Sequence, residues 1–215
     1  MTKEKNVIDY FVLCNKLKNT IRTGWLDWHI KKERVESVAE HIYSVCMLAI
    51  AMYSEYLYEI DLYKVITMLS VHELEEIIIG DIAVTSTLHK NKKEIGHQAV
   101  AKILSPLLAG EEIKALIFEF DERTTKEALF AYHCDKLECD LQAKIYDEEK
   151  CIDLASQPAD SEYYSDFIQD LVSSGSKTFT DLWFAGDAHY YEDDQNFMDI
   201  FNYAQSHDIT KKENE

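Results

Sequence analysis

Apolar residues recur along this chain at the three-to-four-residue spacing of helices, and the elements can be read off one after another. Ile8, Phe11, Val12 and Leu17 fall near one face and predict a first helix over about 7–18. The stretch "IRTGWLDWHIKKER" (21–34) then interrupts the pattern. "SVAE" (37–40) has the form of a capping box, with Ser37 as N-cap and Glu40 reaching back, so a helix should start there and run to about residue 58. That helix carries His41 in its first turn and an apolar stripe of Val45, Leu48, Ala49 and Met52, which predicts that it packs in the core. A third helix is expected from Asp61 to Gly80, leaving Asp81 just past its end. Two shorter helices follow at 94–104 and 111–120, separated by Pro106 and Gly110, and a longer one at 126–146. The acidic, aromatic tail shows helical patterns at 160–173 and 195–206, broken by "SSGSKT", and its final "KKENE" is expected to fray.

Composition supports this reading. Six glycines and two prolines in 215 residues are well below the roughly 15 and 11 of average usage, so few residues are present to turn strands or break helices. The expected fold is all-α, with one domain over 1–215, a core over about 8–150 and a C-terminal helical extension over about 151–215. Five cysteines, odd in number and without a C-x-x-C pair, indicate neither a disulfide framework nor a zinc ribbon and fit a reducing, cytoplasmic setting. The start of the chain has no continuous apolar segment, and the longest apolar run, "VCMLAIAMY" (45–53), is far short of the ~20 residues of a membrane span.

The net charge of −18 argues against binding to long nucleic acids, whose phosphates need clustered Lys and Arg. The charge is uneven. Residues 1–34 hold eight Lys/Arg against four Asp/Glu, while the remainder holds 14 against 36. A small anion is thus better received near the N-terminal segment and a cation elsewhere, although ordinary solubilising charge would give the same counts.

Candidate chemistry concentrates in "VHELEEIIIGDI" (71–82), an apolar frame holding His72, Glu73, Glu75, Glu76 and Asp81. On a helix, His72 and Glu76 point the same way, Glu73 flanks them, and Glu75 lies nearly opposite Glu73 and is expected in solvent. Spacing alone also allows an acidic, solvated helix end. His41 sits on a helix expected in the core. Asp135 shares a stripe with Ala128, Ala131 and Gln142, where a carboxylate needs a partner. Two histidines and two carboxylates from three helices suit a divalent transition metal with positions left open for water and substrate. Equally, they suit a core histidine, a capped helix and a salt-bridged acid with no common role.

The ordered motifs "ESVAEHIYSV" (36–45), "HELEEIIIGDI" (72–82) and "CDKLECDLQA" (134–143) resemble the HD-domain metal-dependent phosphohydrolases. Together with "LKNTIRTGW" (17–25) they are similar to the branch that removes phosphate from deoxyribonucleoside 5′-monophosphates. The resemblance covers residues 8 to about 150. It implies an HD-type helical bundle, a nucleotide substrate, a homodimer and one divalent transition metal ion such as Mn, Co, Fe or Zn. It implies His41, His72, Glu73 and Asp135 as metal ligands, Glu76 and Asp81 as catalytic acids, and Arg22 and Trp25 as substrate-binding residues. Two departures stand out. The family's His-Asp pair is here His72-Glu73, and Trp28 stands where an arginine is usual. The longer glutamate moves the carboxylate by about a C–C bond length. That leaves two readings, a working phosphohydrolase and a catalytically degenerate nucleotide-binding or scaffold protein.

Overall fold

The structure, a computed structural model, describes residues 2–82, 91–157 and 166–211. Among them the chain is helical and contains no strand; an isolated bridge joins Ile21 and Ser37. The α-helices are α1 (Lys3–Cys14), α2 (Thr23–Asp27), α3 (Val38–Tyr56), α4 (Leu62–Val71), α5 (Glu76–Ile79), α6 (Lys92–Leu104), α7 (Gly110–Glu122), α8 (Lys126–Glu148), α9 (Asp166–Ser173), α10 (Phe179–Asp187) and α11 (Gln195–Ser206). None of the helices is long and apolar enough to cross a membrane.

The chain divides into two compact units, one of 1–23 with 36–134, the other of 24–35 with 135–215. In the first, α3 packs on α4, α4 on α7, α6 on α7, and the short α5 on α6. Their meeting faces supply a core of Leu17, Val38, Leu74, Ile77, Val100, Ile103, Leu104 and Ile117. Helix α3 begins as its sequence dictates: the Ser37 hydroxyl accepts the Glu40 N–H and the Glu40 carboxylate accepts the Ser37 N–H at 2.9 Å. Such a cap stabilises a helix by about 1 kcal/mol and fixes the rotation at which His41 leaves it.

The second unit is built round aromatic residues. The Trp25 ring meets Tyr146 edge-on at 5.3 Å and Trp183 at 5.1 Å, and Trp28 meets Phe179 at 5.0 Å. Each such pair contributes about 0.5–1.5 kcal/mol beyond the burial of its area. Trp28, the departure from arginine, is therefore a core residue, and its carbonyl accepts a hydrogen bond from Gln157.

The structure departs from the sequence reading in several places. The stripe of Ile8, Phe11 and Val12 faces outward, 59%, 62% and 61% exposed, and Tyr10, Leu13 and Cys14 pack inward instead. Helix α1 also gives way to a 3₁₀ turn at Asn15–Lys18, which rotates Leu17 into the core. The expected helix from 61 to 80 breaks after Val71, because Leu74, Glu76 and Ile77 donate to the carbonyls three residues back. That tighter winding places His72 and Glu73 in a turn. Helices α2 and α10 were not foreseen. The expected helix from 160 is seen from Asp166; its first part lies outside the described residues, as do four of the five "KKENE" positions.

Candidate metal centre and its flanking acids

His41 leaves the first turn of α3 fully buried, and His72 leaves the turn after α4, 4% exposed. Their ring centroids are 5.5 Å apart, and Phe120 presses edge-on against His72 at 5.2 Å. His72 Nδ1 lies 2.7 Å from the Leu69 carbonyl. A carbonyl only accepts, so Nδ1 carries the proton and Nε2 keeps its lone pair. This is the form in which a histidine binds a metal, with its other nitrogen oriented by a backbone acceptor. Nε2 lies 3.7 Å from Glu73 Oε1, which in turn lies 3.8 Å from Arg22 Nη1. Asp135, on α8, is nearly buried and pairs with Lys136 at 3.0 Å.

One ligand atom from each of His41, His72 and Glu73 lies within 4.8 Å of the other two. Donors on one ion at about 2.1 Å are at most ~4.2 Å apart, so a small contraction would bring all three onto a divalent cation. The donor set, two imidazoles and a carboxylate, suits a transition metal of borderline softness. The residues present therefore fit the group that the resemblance implies.

Glu76 starts α5 and is 2% exposed. Its Oε1 pairs with Lys92 Nζ at 3.0 Å, whereas Oε2 is buried and has no hydrogen-bond partner among the described residues. Burial, and next the Glu73 charge, push its carboxyl up to about 10, with Lys92 opposing. Burial and Glu73 likewise push Glu75 up to about 8. Glu75 is thus not the solvated residue that helical spacing suggested: a Cβ on Gly96 of α6 would come within 3.2 Å of its Cγ. Asp81 is held by Thr23, whose N–H donates to Oδ2 at 2.5 Å and whose hydroxyl donates to the Asp81 carbonyl at 2.9 Å. Arg22 is anchored through its backbone N–H to the Glu36 carbonyl.

Trp25 lies in the aromatic core of the second unit. Its indole is 2% exposed inside the aromatic core, so it has no face to offer a sugar. The sequence reading missed Lys92 and Thr23. Lys92 is one of three lysines in "KNKK" and nothing in their spacing marks it; only the packing of α5 on α6 does.

His41, His72 and Glu73 lie together as a candidate metal centre, and the HD domain family matches residues 14–170. The chain belongs to that family. It is 34% identical to the 5′-deoxynucleotidase HDDC2 of Dictyostelium discoideum over 152 residues, 67% of this chain and 79% of the relative. It is 31% identical to the 5′-deoxynucleotidase hdd1 of Schizosaccharomyces pombe over 155 residues, 69% and 75% of the two chains. Among solved structures, the PH0347 protein of Pyrococcus horikoshii OT3 aligns with a TM-score of 0.66 at 25% identity, covering 93% of this chain and 98% of that one.

Proposed function

We propose that this chain is a metal-dependent phosphomonoesterase that releases phosphate from deoxynucleoside 5′-monophosphates. The observation that carries the reading is the convergence of the His41, His72 and Glu73 ligand atoms within 4.8 Å, with Glu76, three residues on, keeping a buried oxygen that has no hydrogen-bond partner among the described residues. The printed activity of the relatives points to the substrate class.

His41, His72, Glu73 and Asp135 would hold the ion. A divalent ion there would supply a Lewis acid for a phosphoryl oxygen and acidity for a nearby water. Glu76 Oε2 is the acceptor we assign to orient that water; a bound cation would offset the Glu73 charge that helps to raise its carboxyl, leaving Oε2 able to take the proton. Asp81, fixed by Thr23, is assigned to the departing 5′-oxygen. Arg22, with Nη1 already turned to Glu73, is assigned to the phosphate, where a guanidinium can donate two parallel hydrogen bonds. Trp25 is assigned a packing role in place of direct contact with the sugar.

The homodimer implied by the resemblance has a candidate face in the outward stripe of α1, where Val7, Ile8, Phe11 and Val12 are each about three-fifths exposed. A Phe11→Lys variant that stays as large as the parent in sedimentation would remove that face from the account.

The substrate assignment is tested by phosphate release from matched deoxy- and ribonucleoside monophosphates. Preference for the deoxy series supports it; equal rates would leave a general phosphomonoesterase. No release from either series, with any of the four metals, would favour the degenerate reading. In that case Glu73→Asp should restore turnover if the longer side chain is the cause.

A further inference from the structure

We propose that Lys92 is a positioning residue of the hydrolytic site: its ammonium holds one oxygen of Glu76 and thereby turns the other toward the reacting water. The inference rests on the phosphatase reading above and adds to it a residue that the ligand motifs do not contain. Three observations lead to it. Lys92 opens α6, and α6 packs on α5, whose first residue is Glu76. The contact is closed: the Glu76 side chain is 1% exposed and that of Lys92 24%, with Nζ and Oε1 3.0 Å apart. The pairing is also one-sided, since Oε2 is buried and carries no hydrogen bond.

A buried carboxylate with one oxygen fixed by a cation and the other unmet is costly to keep for stability alone. A purely structural pair would be expected to satisfy both oxygens. An acid that must receive a water needs one oxygen open and its rotation fixed, and Lys92 supplies that fixing. Burial works against the charge on Lys92, but Glu73, Glu76 and Glu75 outweigh it and hold the ammonium protonated.

The test uses Lys92→Met, Lys92→Arg, Glu76→Gln and the Lys92→Met/Glu76→Gln double variant, with metal content measured in each. Lys92→Gln replaces Lys92→Met should the latter fail to fold. Lys92→Met should lower kcat about 10–100-fold, the usual range for a residue that orients a reacting group, with metal content and KM nearly unchanged. Lys92→Arg should recover most of the loss, and Lys92→Met should add little to the loss already caused by Glu76→Gln. A parental kcat in Lys92→Met, a rise in KM alone, or additive losses in the double variant would overturn the proposal. If the parent releases no phosphate at all, the proposed function falls, and melting temperatures still decide the pair. Lys92→Met should then lower the midpoint of the parent but not that of Glu76→Gln; equal shifts in both would show that Lys92 does not hold Glu76.

Discussion

Both compact units bury carboxyl groups, and they treat them in opposite ways. In the second unit Asp140 is fully buried, and each oxygen has a donor: Trp183 Nε1 at 2.9 Å and the Tyr191 hydroxyl. Burial and then the neighbouring Asp187 charge raise its pKa, and burial raises that of Asp187 as well, so the pair favours holding a proton. In the first unit Glu76 is as deeply buried, yet it has one cation on Oε1 and nothing on Oε2. A saturated acid locks a core; a half-saturated one is ready to accept a hydrogen bond from outside the chain. Burial alone thus does not distinguish Glu76 from Asp140; the unmet oxygen, which the neighbouring Glu75 shares, does.

Variants can break this contrast. The largest effect is expected at the ligands: His72→Ala should remove both the metal and, by roughly a thousandfold or more, the phosphate release that a metal-activated water provides. Glu76→Gln should retain the metal and lower kcat by about 10²–10⁴-fold, the range of a lost general base. The second unit should respond in stability, not in chemistry. Asp140→Ala removes the acceptor of the Trp183 and Tyr191 donors and should cost about 1–3 kcal/mol for each, seen as a lower denaturation midpoint with kcat per folded molecule maintained. A loss of turnover in Asp140→Ala greater than the loss of folded protein would erase the distinction.

The smallest effect is a pH dependence. Because the folded-state pKa of Asp140 is raised, the folded chain holds a proton there that the unfolded chain releases above about 3.9. Its contribution to stability is therefore full below that pH and is lost as the pH rises through the folded value. Asp187→Asn removes the neighbouring charge and supplies a donor, so the fall in melting temperature with rising pH should become shallower. An unchanged slope would mean that the two carboxyls do not share a proton.

How much of this could be read beforehand differs between backbone and site. The start of α3 was legible because Ser37 and Glu40 form a local device that needs no tertiary partner. The capping box of α10, Thr178 with Asp181, has the same form but was hidden by the adjacent "SSGSKT". The break at His72 left no trace in the sequence, since the apolar frame runs on through Ile77, Ile78 and Ile79; it arises from three-residue backbone hydrogen bonds. For α1 the periodicity was right and the inference of an inward face was not, because an amphipathic stripe does not say what covers it. His41, His72, Glu73 and Asp135 were named through family motifs, and the ligand atoms of the first three lie within 4.8 Å of one another. Lys92 and Glu76 are sixteen residues apart and meet only through the packing of α5 on α6, which no local pattern encodes.

The central claim is that His41, His72, Glu73 and Asp135 hold an ion on which phosphate release depends. It is tested most directly by stripping the protein of metal, resupplying Mn, Co, Fe or Zn one at a time, and following phosphate release from a deoxynucleoside 5′-monophosphate beside a His72→Ala control. The account predicts release that returns with at least one of these metals, in proportion to the ion bound, and neither ion nor release in the control. Full turnover in the stripped protein, or in His72→Ala, would contradict it.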